Sequence, residues 1–465
     1  MNDMNNLGRR KFIKQTSCAA IGTTTLFSTL FNLKTMNAAS ISNSAVFGGD
    51  GYKALVCIYM GGGNDSFNML IPKQDNNEYE VYSESRSNQA IPQNDILALS
   101  GSNYGLHPML TNVRDMYNDG DVAFVSNIGT LIEPVDQAGY YDGSAELPLG
   151  LYSHADQSQQ WQTSVPHDRT AVGWGGKIAD LLQSQNTNQD ISLNISLAGN
   201  NVFQTGDTTS EFTVNPNSGA ILINGYGDPW LFSELRTQAI DDMIEANYQD
   251  LFKKTYMDIV KVSRDANIQY AEAIENITLN TTFSDNPLST RLELVAKTIA
   301  AKDDLGMTRQ IFFVDFGSWD HHDELLNSQA EQFDWMNDGL LEFRAALNEL
   351  EMFDCVTTFS LSEFSRTLSS NGNGTDHGWG GNVFMMGGEV IGGNIYGNYP
   401  NLELGSNIDV GGGVLIPEIS CDEYFAELSK WFGVSPSELS TIFPNIGNFY
   451  DVNSNANPIG FLPFV

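Results

Sequence analysis

Acidic and imidazole side chains are concentrated in a few short segments of this chain. Only six histidines occur among 465 residues, and two of them adjoin acidic residues in the segment 315–323. Alternate side chains of an extended segment share a face, so Asp320 and His322 can converge while His321 points elsewhere. A carboxylate and an imidazole are a common pair of metal ligands. The alternative is a loop that caps the next helix, with Asp323 as its N-cap.

Two further segments carry groups of the same kind. Asp65 follows the glycines at 61–63, which let the backbone turn tightly beside a ligand or metal. The same Gly-Asn-Asp pattern is also ordinary turn chemistry. Glu363, Asp376 and His377 stand in the segment 362–381. We predict that these side chains join Asp320 and His322 in a metal site.

A serine and a histidine stand together at a possible helix start. Ser153 and His154 precede Asp156, and the backbone N–H groups of a helix N-terminus favour an anion. Ser153 is therefore a candidate nucleophile and His154 a candidate catalytic partner. The alternative is that Ser153 or Asp156 only caps the helix. A hydroxyl becomes a nucleophile when a base or a metal lies next to it.

These segments follow short apolar runs that must position them. Runs without polar alternation at 54–60, 122–125, 311–314 and 356–359 predict strands buried on both faces, as in a parallel sheet. Ligands of an open parallel sheet bind beyond the carboxyl ends of its strands. Between the last two runs, spacings of 3 and 4 predict an amphipathic helix from Phe333, Met336, Leu340, Phe343, Leu347 and Leu350. The pattern predicts an α/β fold with a mostly parallel central sheet.

The middle of the chain is less regular. Residues 190–227 alternate short apolar segments with Asn, Gly and Thr, which predicts strands or an inserted hairpin. A helical region at 228–305 starts at Asp228 and Pro229, a capping residue followed by proline at the first helical position. The span 41–465 is long enough for one large domain or two. No segment of it has the composition of a linker, so we predict a single domain.

The first forty residues have the layout of a signal peptide. Arg9 and Arg10 precede an apolar run at 18–31 and the small residues at 38–40. This layout resembles twin-arginine signals and predicts export through the twin-arginine translocase, with the protein periplasmic or extracellular. The apolar run is shorter than the about 20 residues that span a bilayer, so no stable membrane anchor is expected. The alternative is a disordered basic tail.

The charge of the chain restricts its partners. The sequence has 23 basic and 57 acidic residues, and 18 basic and 56 acidic residues remain without the first forty. Such a surface repels polyanions, so nucleic acid and anionic lipid are not expected partners. The chain has four cysteines, and without Cys18 of the first forty residues the remaining Cys57, Cys355 and Cys421 are odd in number, which does not indicate a disulfide framework.

The order of the motifs resembles a known bacterial family, "domain of unknown function 1501". The resemblance rests on these segments, taken in chain order: Arg9-Arg10, Gly62-Gly63-Asn64-Asp65, Leu106-His107-Pro108, Asp121 to Val125, Ser153-His154, Asp156-Gln157, Gly173-Trp174, Trp319 to His322, Ser362 to Thr367 and Asp376-His377. That family is grouped with the alkaline phosphatase-like superfamily. The resemblance implies a three-layer α/β/α sandwich.

The resemblance also implies one or two divalent metal ions, such as zinc, manganese, calcium or magnesium. Asp65 resembles the superfamily's first metal carboxylate, and Asp320 and His322 resemble its later pair. Glu363 stands where an Asp-His dipeptide is usual in the superfamily. Phe364 follows it in place of the histidine, so one ligand of a full second metal site is missing. Asp376 and His377 would supply the remaining ligands.

Two functions remain open from the sequence. In the first, the protein hydrolyses phosphate or sulfate esters of small molecules or saccharides, with Ser153 as nucleophile and Arg366 or His154 neutralising the ester oxygens. Arg366 could equally form a structural salt bridge. In the second, the protein is an inactive, metal-stabilised scaffold or a carbohydrate-binding partner.

Overall fold

The structure, a computed structural model, describes residues 51–464 apart from 75–76, 218, 222, 224–225 and 228–231. The predicted signal peptide and the predicted helix start at Asp228 and Pro229 lie outside the described residues. The described residues from Tyr52 onward form one compact unit. No helix among them is long and apolar enough to cross a membrane.

Strands are labelled in chain order. They are β1 (Lys53–Tyr59), β2 (Leu70–Pro72), β3 (Leu97–Ala98), β4 (Tyr104–Leu106), β5 (Val122–Gly129), β6 (Asn194–Ser196), β7 (Phe212–Thr213), β8 (Arg309–Asp315), β9 (Val356–Leu361), β10 (Arg366–Ser370), β11 (Thr375–His377), β12 (Gly381–Met386), β13 (Ile395–Tyr396) and β14 (Ile419–Ser420).

The α-helices are labelled in the same way. They are α1 (Glu78–Arg86), α2 (Thr111–Asp119), α3 (Gln137–Asp142), α4 (His154–Thr163), α5 (Trp174–Leu182), α6 (Ser233–Ile244), α7 (Leu251–Glu275), α8 (Pro287–Ala300), α9 (Leu325–Glu349), α10 (Cys421–Phe432) and α11 (Leu439–Ile442).

The central sheet is mostly parallel, as predicted. Its order is β13-β5-β12-β9-β1-β8-β6-β7, and β14 pairs with β5. β1 lies between β8 and β9 and is parallel to both. The exception is β12, which is antiparallel to both β5 and β9. The four strands predicted from apolar runs are all present, whereas the antiparallel strand between two of them was not foreseen.

Helices cover both faces of this sheet. On one face, Val56 and Ile58 of β1 belong to the large core with Leu340 of α9 and Leu292 of α8. The predicted stripe of α9 is confirmed for five of its six members, which are buried: Phe333, Met336, Leu340, Phe343 and Leu347. The sixth, Leu350, is the residue after the helix and is half-buried. On the other face, the ring of Trp174 in α5 lies 5.9 Å from that of Phe359 in β9. Apolar residues therefore hold three layers together.

Residues 190–305 contribute two strands to the sheet and three helices to the layers that cover it. β6 pairs in parallel with β8, and β7 pairs in parallel with β6, so the two short strands extend the main sheet. Helices α6, α7 and α8 occupy most of the region for which helices were predicted. A short strand has little periodicity of its own, and the pairing with β8 is what gives β6 its place.

Strand register brings the polar segments to one edge. Tyr59, the last residue of β1, is paired with Asp315 of β8 and with Leu361 of β9. The chain therefore leaves three adjacent parallel strands at the same level. The segments that carry Asp65, Asp320 and Glu363 all begin there.

Candidate metal centre

Four side chains from three parts of the chain meet at this edge. His154 is the first residue of α4, and His377 is the last residue of β11. Asp320 and His322 lie in the loop between β8 and α9. We call this group, His154, Asp320, His322 and His377, the imidazole cluster.

The ring nitrogens surround one carboxylate. Nε2 of His322 lies 3.0 Å from Oδ1 of Asp320, and Nε2 of His377 lies 3.6 Å from the same oxygen. Nε2 of His154 lies 3.5 Å from Oδ2 of Asp320. The Nε2 atoms of His322 and His377 are 2.9 Å apart. Nε2 of His322 and Nε2 of His377 thus lie beside one oxygen of the carboxylate, and Nε2 of His154 lies beside the other.

The other nitrogen of each ring has an acceptor of its own. Nδ1 of His377 lies 2.7 Å from the backbone oxygen of Tyr152, and Nδ1 of His154 lies 2.9 Å from Oε1 of Glu363. Nδ1 of His322 lies 3.3 Å from Oδ1 of Asp376. An acceptor at Nδ1 fixes the proton there and leaves a lone pair on Nε2. A metal ion bound through Nε2 of these imidazoles would replace the contacts that Nε2 of His322 makes with Asp320 and with His377.

These distances fit a single divalent metal ion. Two ligands of a tetrahedral zinc ion bound at about 2.1 Å lie about 3.4 Å apart, which is close to the separations in the cluster. Ligand atoms of His154, Asp320 and His377 all lie within 4.8 Å of one another. Nε2 of His154 is buried and has no hydrogen-bond partner among the described residues. A cation would satisfy that lone pair.

The formal charge of the surroundings also favours a cation. Three carboxylates, those of Asp320, Glu363 and Asp376, contact the imidazoles. The guanidinium of Arg366 contacts Asp320. The charge of these groups sums to about −2 with neutral imidazoles, which a divalent ion would balance.

Arg366 holds the carboxylate in place. Its Nη1 donates to Oδ1 of Asp320 at 2.7 Å and to the backbone oxygen of Gly62 at 3.2 Å, and its Nη2 donates to the backbone oxygen of Thr375. The side chain is fully buried. Burial by itself would raise the pKa of Asp320, but the hydrogen bond and charge of Arg366 lower it below the usual value. The carboxylate is thereby kept ionised.

Two imidazoles have shifted pKa values of opposite sign. The hydrogen bond to Glu363 raises the pKa of His154, against the smaller effect of burial. Burial lowers the pKa of His377, with a smaller opposing effect of the hydrogen bond to Tyr152. His377 is thus the more readily neutral of the two, so a metal ion would compete with a proton more strongly at His154 than at His377.

Glu363 connects the cluster to the end of β1. Its side chain is buried, and Oε1 accepts both His154 Nδ1 and the backbone N–H of Gly62, the latter at 2.7 Å. Oε2 accepts the hydroxyl of Tyr59 at 3.4 Å. The Tyr59 hydroxyl also lies 2.6 Å from Oγ of Ser158. The Glu363 carboxylate therefore contacts the His154 imidazole, the turn at Gly62 and the last residue of β1, Tyr59.

Comparison with known proteins gives the family. A family model described as "Protein of unknown function (DUF1501)" matches residues 52–411, which is most of the chain. The chain belongs to this family. No curated protein matches it. The matched span includes every residue of the imidazole cluster.

Solved structures similar to this DUF1501 protein are distant from it in sequence. The lipoteichoic acid synthase LtaP from Listeria monocytogenes is 8% identical with a TM-score of 0.31, and the match covers 83% of this chain and 74% of that one. The protein Ps i-CgsB in complex with k-i-k-neocarrahexaose is 10% identical with a TM-score of 0.33, covering 87% and 78%. The site is therefore assigned from the geometry of the DUF1501 chain itself.

The side-chain partners of Asp65 among the described residues are Arg86 and Thr375, not members of the imidazole cluster. Asp65 is fully buried and forms an ion pair with Arg86 of α1. Arg86 also donates to Oδ1 of Asn68 and to the backbone oxygen of Thr367. Oδ1 of Asp65 has no hydrogen-bond partner among the described residues. In this position Asp65 joins α1 to the segment after β1.

Ser153 and His321 also lie outside the cluster. Ser153 is the N-cap of α4, and its Oγ accepts the backbone N–H of Asp156 at 3.4 Å. This is the capping arrangement left open from the sequence. His321 is buried beside Trp319, and burial lowers its pKa to about 4. It is the neighbour that the alternation predicted to point away from Asp320.

The sequence did not identify several residues on which the site depends. The backbone oxygen of Tyr152 orients His377, and Arg86 binds Asp65. Tyr59 connects Glu363 with Ser158. Tyr152 has a φ of 71°, which is rare for a residue with a side chain. These contacts involve a backbone atom or residues that are far apart in the sequence. No local sequence pattern therefore predicts them.

Proposed function

We propose that this protein is an exported metal-dependent hydrolase of phosphate or sulfate esters. The observation that carries the proposal is the convergence of three imidazole Nε2 atoms on Asp320, with each Nδ1 held by an acceptor. Imidazole ligands with one carboxylate favour zinc or another transition metal over calcium or magnesium. His154, Asp320, His322 and His377 would hold the ion.

The surroundings are suited to an anionic ester. A divalent metal in the cluster would polarise an ester oxygen and offset its charge. His154 is the first residue of α4, so the cluster includes a side chain from a helix N-terminus, an end that favours anions. Asp320 and His322 are each nearly half exposed, which leaves the cluster open to a substrate from solvent.

We assign supporting roles to the other predicted site residues. Glu363 and Asp376 orient His154 and His322 through their Nδ1 atoms. Arg366 orients Asp320 rather than a substrate, because it is buried and its donors are used within the protein. Asp65 supports the segment after β1 through Arg86. Ser153 is the candidate nucleophile, since it directly precedes His154.

A metal-stabilised scaffold is the second candidate. It is favoured by one observation, that the hydrogen bond of Ser153 Oγ is to the backbone of its own helix and not to a base. An activated serine has a base or a metal as a neighbour. In this alternative the ion only ties α4, β11 and the loop after β8 together.

Metal content and turnover separate the two candidates. We would measure bound metals in the purified full chain by mass spectrometry and test p-nitrophenyl phosphate, bis(p-nitrophenyl) phosphate and p-nitrophenyl sulfate. The hydrolase is expected to hold about one ion per chain and to lose turnover, but not metal, in Ser153→Ala. His377→Ala should lose the metal, whereas His167→Ala, an exposed histidine elsewhere, should keep it.

Each outcome has a definite meaning. Bound metal without turnover on any ester supports the scaffold, and metal-free protein contradicts both candidates. Export is tested separately, by fractionation of cells that express the full chain. Replacement of Arg9 and Arg10 by lysine should retain the protein in the cytoplasm if the twin-arginine route is used.

A further inference from the structure

Helix α7 carries an apolar stripe that runs along most of its length. Residues at spacings of 3 and 4 form one face of a helix, and the stripe includes Phe252, Tyr256 and Ile259 and continues through Ala266 and Tyr270. In its second half the stripe is buried: the hydroxyl of Tyr270 lies 2.6 Å from Oγ1 of Thr298, and its ring lies 5.4 Å from that of Phe212. This half is packed on the core.

The first half of the same stripe is exposed. Phe252 is 86% exposed, Tyr256 is 66% exposed and Ile259 is 63% exposed. Leu251 and Val262, which flank them on the same face, are 73% and 45% exposed. Single exposed apolar residues are common, but a contiguous patch of five marks an interaction surface. We call these five residues the α7 patch.

Helix α6 does not cover the α7 patch. It contacts another side of α7 through an ion pair, with Arg264 Nη1 2.7 Å from Oδ1 of Asp241. Glu245, the residue after α6, adds a second, with its Oε1 2.8 Å from Lys261 Nζ. At 100° per residue, the side chains of Lys261 and Arg264 point more than 90° away from the centre of the patch around the helix axis. The patch thus faces outward from the part of the chain that the structure describes.

We propose that the α7 patch binds a second copy of this chain, giving a two-fold symmetric dimer. Taking about 200 Å² for a large side chain, the exposed fractions amount to roughly 650 Å² per chain, or about 1,300 Å² in a dimer. That area lies within the range of stable protein interfaces, about 1,200–2,000 Å². A two-fold axis pairs the patch with itself, so one surface suffices.

The net charge distinguishes this partner from a lipid surface. The chain carries a formal charge of −34, so an anionic bilayer would repel it. A second copy is repelled too, but the contact between the two patches is apolar, and salt would screen the repulsion. Dimerisation should therefore strengthen as salt is added, whereas binding of Lys253 or Lys254 to anionic lipid would weaken.

Sedimentation of the full chain tests the proposal. We expect a dimer at micromolar concentration whose dissociation constant decreases between 50 and 500 mM salt. Phe252→Asp and Ile259→Asp should each weaken the dimer by at least tenfold, because a buried interface charge lacks a partner. Both side chains are exposed in one chain, so the circular dichroism spectrum should be unchanged, and the thermal midpoint should match the wild type at concentrations at which both are monomeric.

A matched control and two adverse results complete the test. Leu404→Asp introduces the same charge at another exposed apolar residue and should leave the dimer intact. A chain that remains monomeric at all concentrations and salts would overturn the proposal. So would flotation of the monomer with phosphatidylglycerol vesicles that is lost in Phe252→Asp.

Discussion

At the scale of single residues, the candidate site depends on which nitrogen of each imidazole ring already has a hydrogen-bond partner. His154, His322 and His377 each have an acceptor at Nδ1, and this leaves Nε2 for a ligand. Partners of this kind raise the basicity of a ligand and hold its orientation. We therefore expect substitutions of Glu363 to affect metal binding almost as much as substitutions of His154.

Replacing Glu363 should weaken metal binding without removing a ligand. We expect Glu363→Gln to lower zinc affinity about tenfold and Glu363→Ala to lower it up to about 100-fold, because outer partners of metal-bound histidines have effects of that size. Competition with a chelating dye would measure both. The pKa of His154, followed by NMR in the metal-free protein, should fall, since the hydrogen bond to Glu363 raises it.

The matched control for that change is Glu403→Gln, which removes one negative charge from an exposed position. It should leave zinc affinity and the His154 pKa as they are. Equal affinities in the two glutamine variants would mean that Glu363 does not support a ligand.

At the scale of elements, the site is made by close approach of the turn after β1 to the loop after β8. Gly62 has a φ of 117°, and a Cβ on it would overlap the backbone of Trp319 and Asp320, lying 2.7 Å from the Trp319 nitrogen. The same residue donates to Glu363 and accepts from Arg366. The absence of a side chain at Gly62 lets the two segments meet.

We therefore expect Gly62→Ala to lower the free energy of unfolding. Gly372 has a φ of 123° with no heavy atom within 4 Å of a built Cβ, so Gly372→Ala isolates the conformational cost, about 1–2 kcal/mol. We expect Gly62→Ala to lower the free energy of unfolding by at least about 2 kcal/mol more, because the backbone must also move apart. Urea titration of both variants measures the difference, and equal losses would show that the overlap is relieved easily.

A second junction of elements should give stability a dependence on pH. Ser164, which ends α4, donates to Asp422 in the first turn of α10. Burial raises the pKa of Asp422 to about 7. Between the ordinary value of about 4 and pH 7, the folded chain retains a proton that the unfolded chain has lost, so stability falls as pH rises through this window.

Asp422→Asn removes that titration while keeping an oxygen to accept the Ser164 hydroxyl. The free energy of unfolding of the wild type, relative to this variant, should fall by up to about 4 kcal/mol between pH 4 and pH 8. Urea titrations at several pH values would measure the difference. Parallel curves for the two proteins would contradict the assignment.

At the scale of the whole molecule, the imidazole cluster joins parts that are far apart in the chain. His154 and His377 are separated by more than 200 residues, and Asp320 lies between them. A ligand that binds only the folded state stabilises it by about 2.7 kcal/mol at a concentration 100 times its dissociation constant. Metal binding should therefore stabilise the whole unit and not only the site.

Removal of metal should lower the thermal midpoint. We expect the chelated protein to unfold at a lower temperature than the zinc-loaded protein, with recovery on addition of zinc, as measured by calorimetry. His377→Ala should not respond to zinc, and His167→Ala should respond like the wild type. Equal midpoints with and without metal would contradict a structural contribution of the ion.

The sequence by itself determined the core strands, the helix α9 and the edge at which polar segments gather. Each follows from local physics: apolar runs such as 54–60 need burial on both faces, and the 3 and 4 spacing from Phe333 to Leu347 needs one buried face. Glycines and carboxylates then follow the strands directly, so their common edge is a consequence of parallel pairing.

Only the tertiary structure decided which polar groups meet. Asp65 and Asp320 look alike in sequence, yet Arg86 binds the first and Arg366 the second. The antiparallel β12 between β5 and β9 is likewise a result of long-range pairing. The hydrogen-bond partner of a side chain depends on contacts between distant parts of the chain, whereas the spacing of apolar residues in the sequence indicates only which faces are buried. Local sequence patterns therefore predict the core strands and their common edge, whereas long-range packing decides which polar side chains meet at that edge.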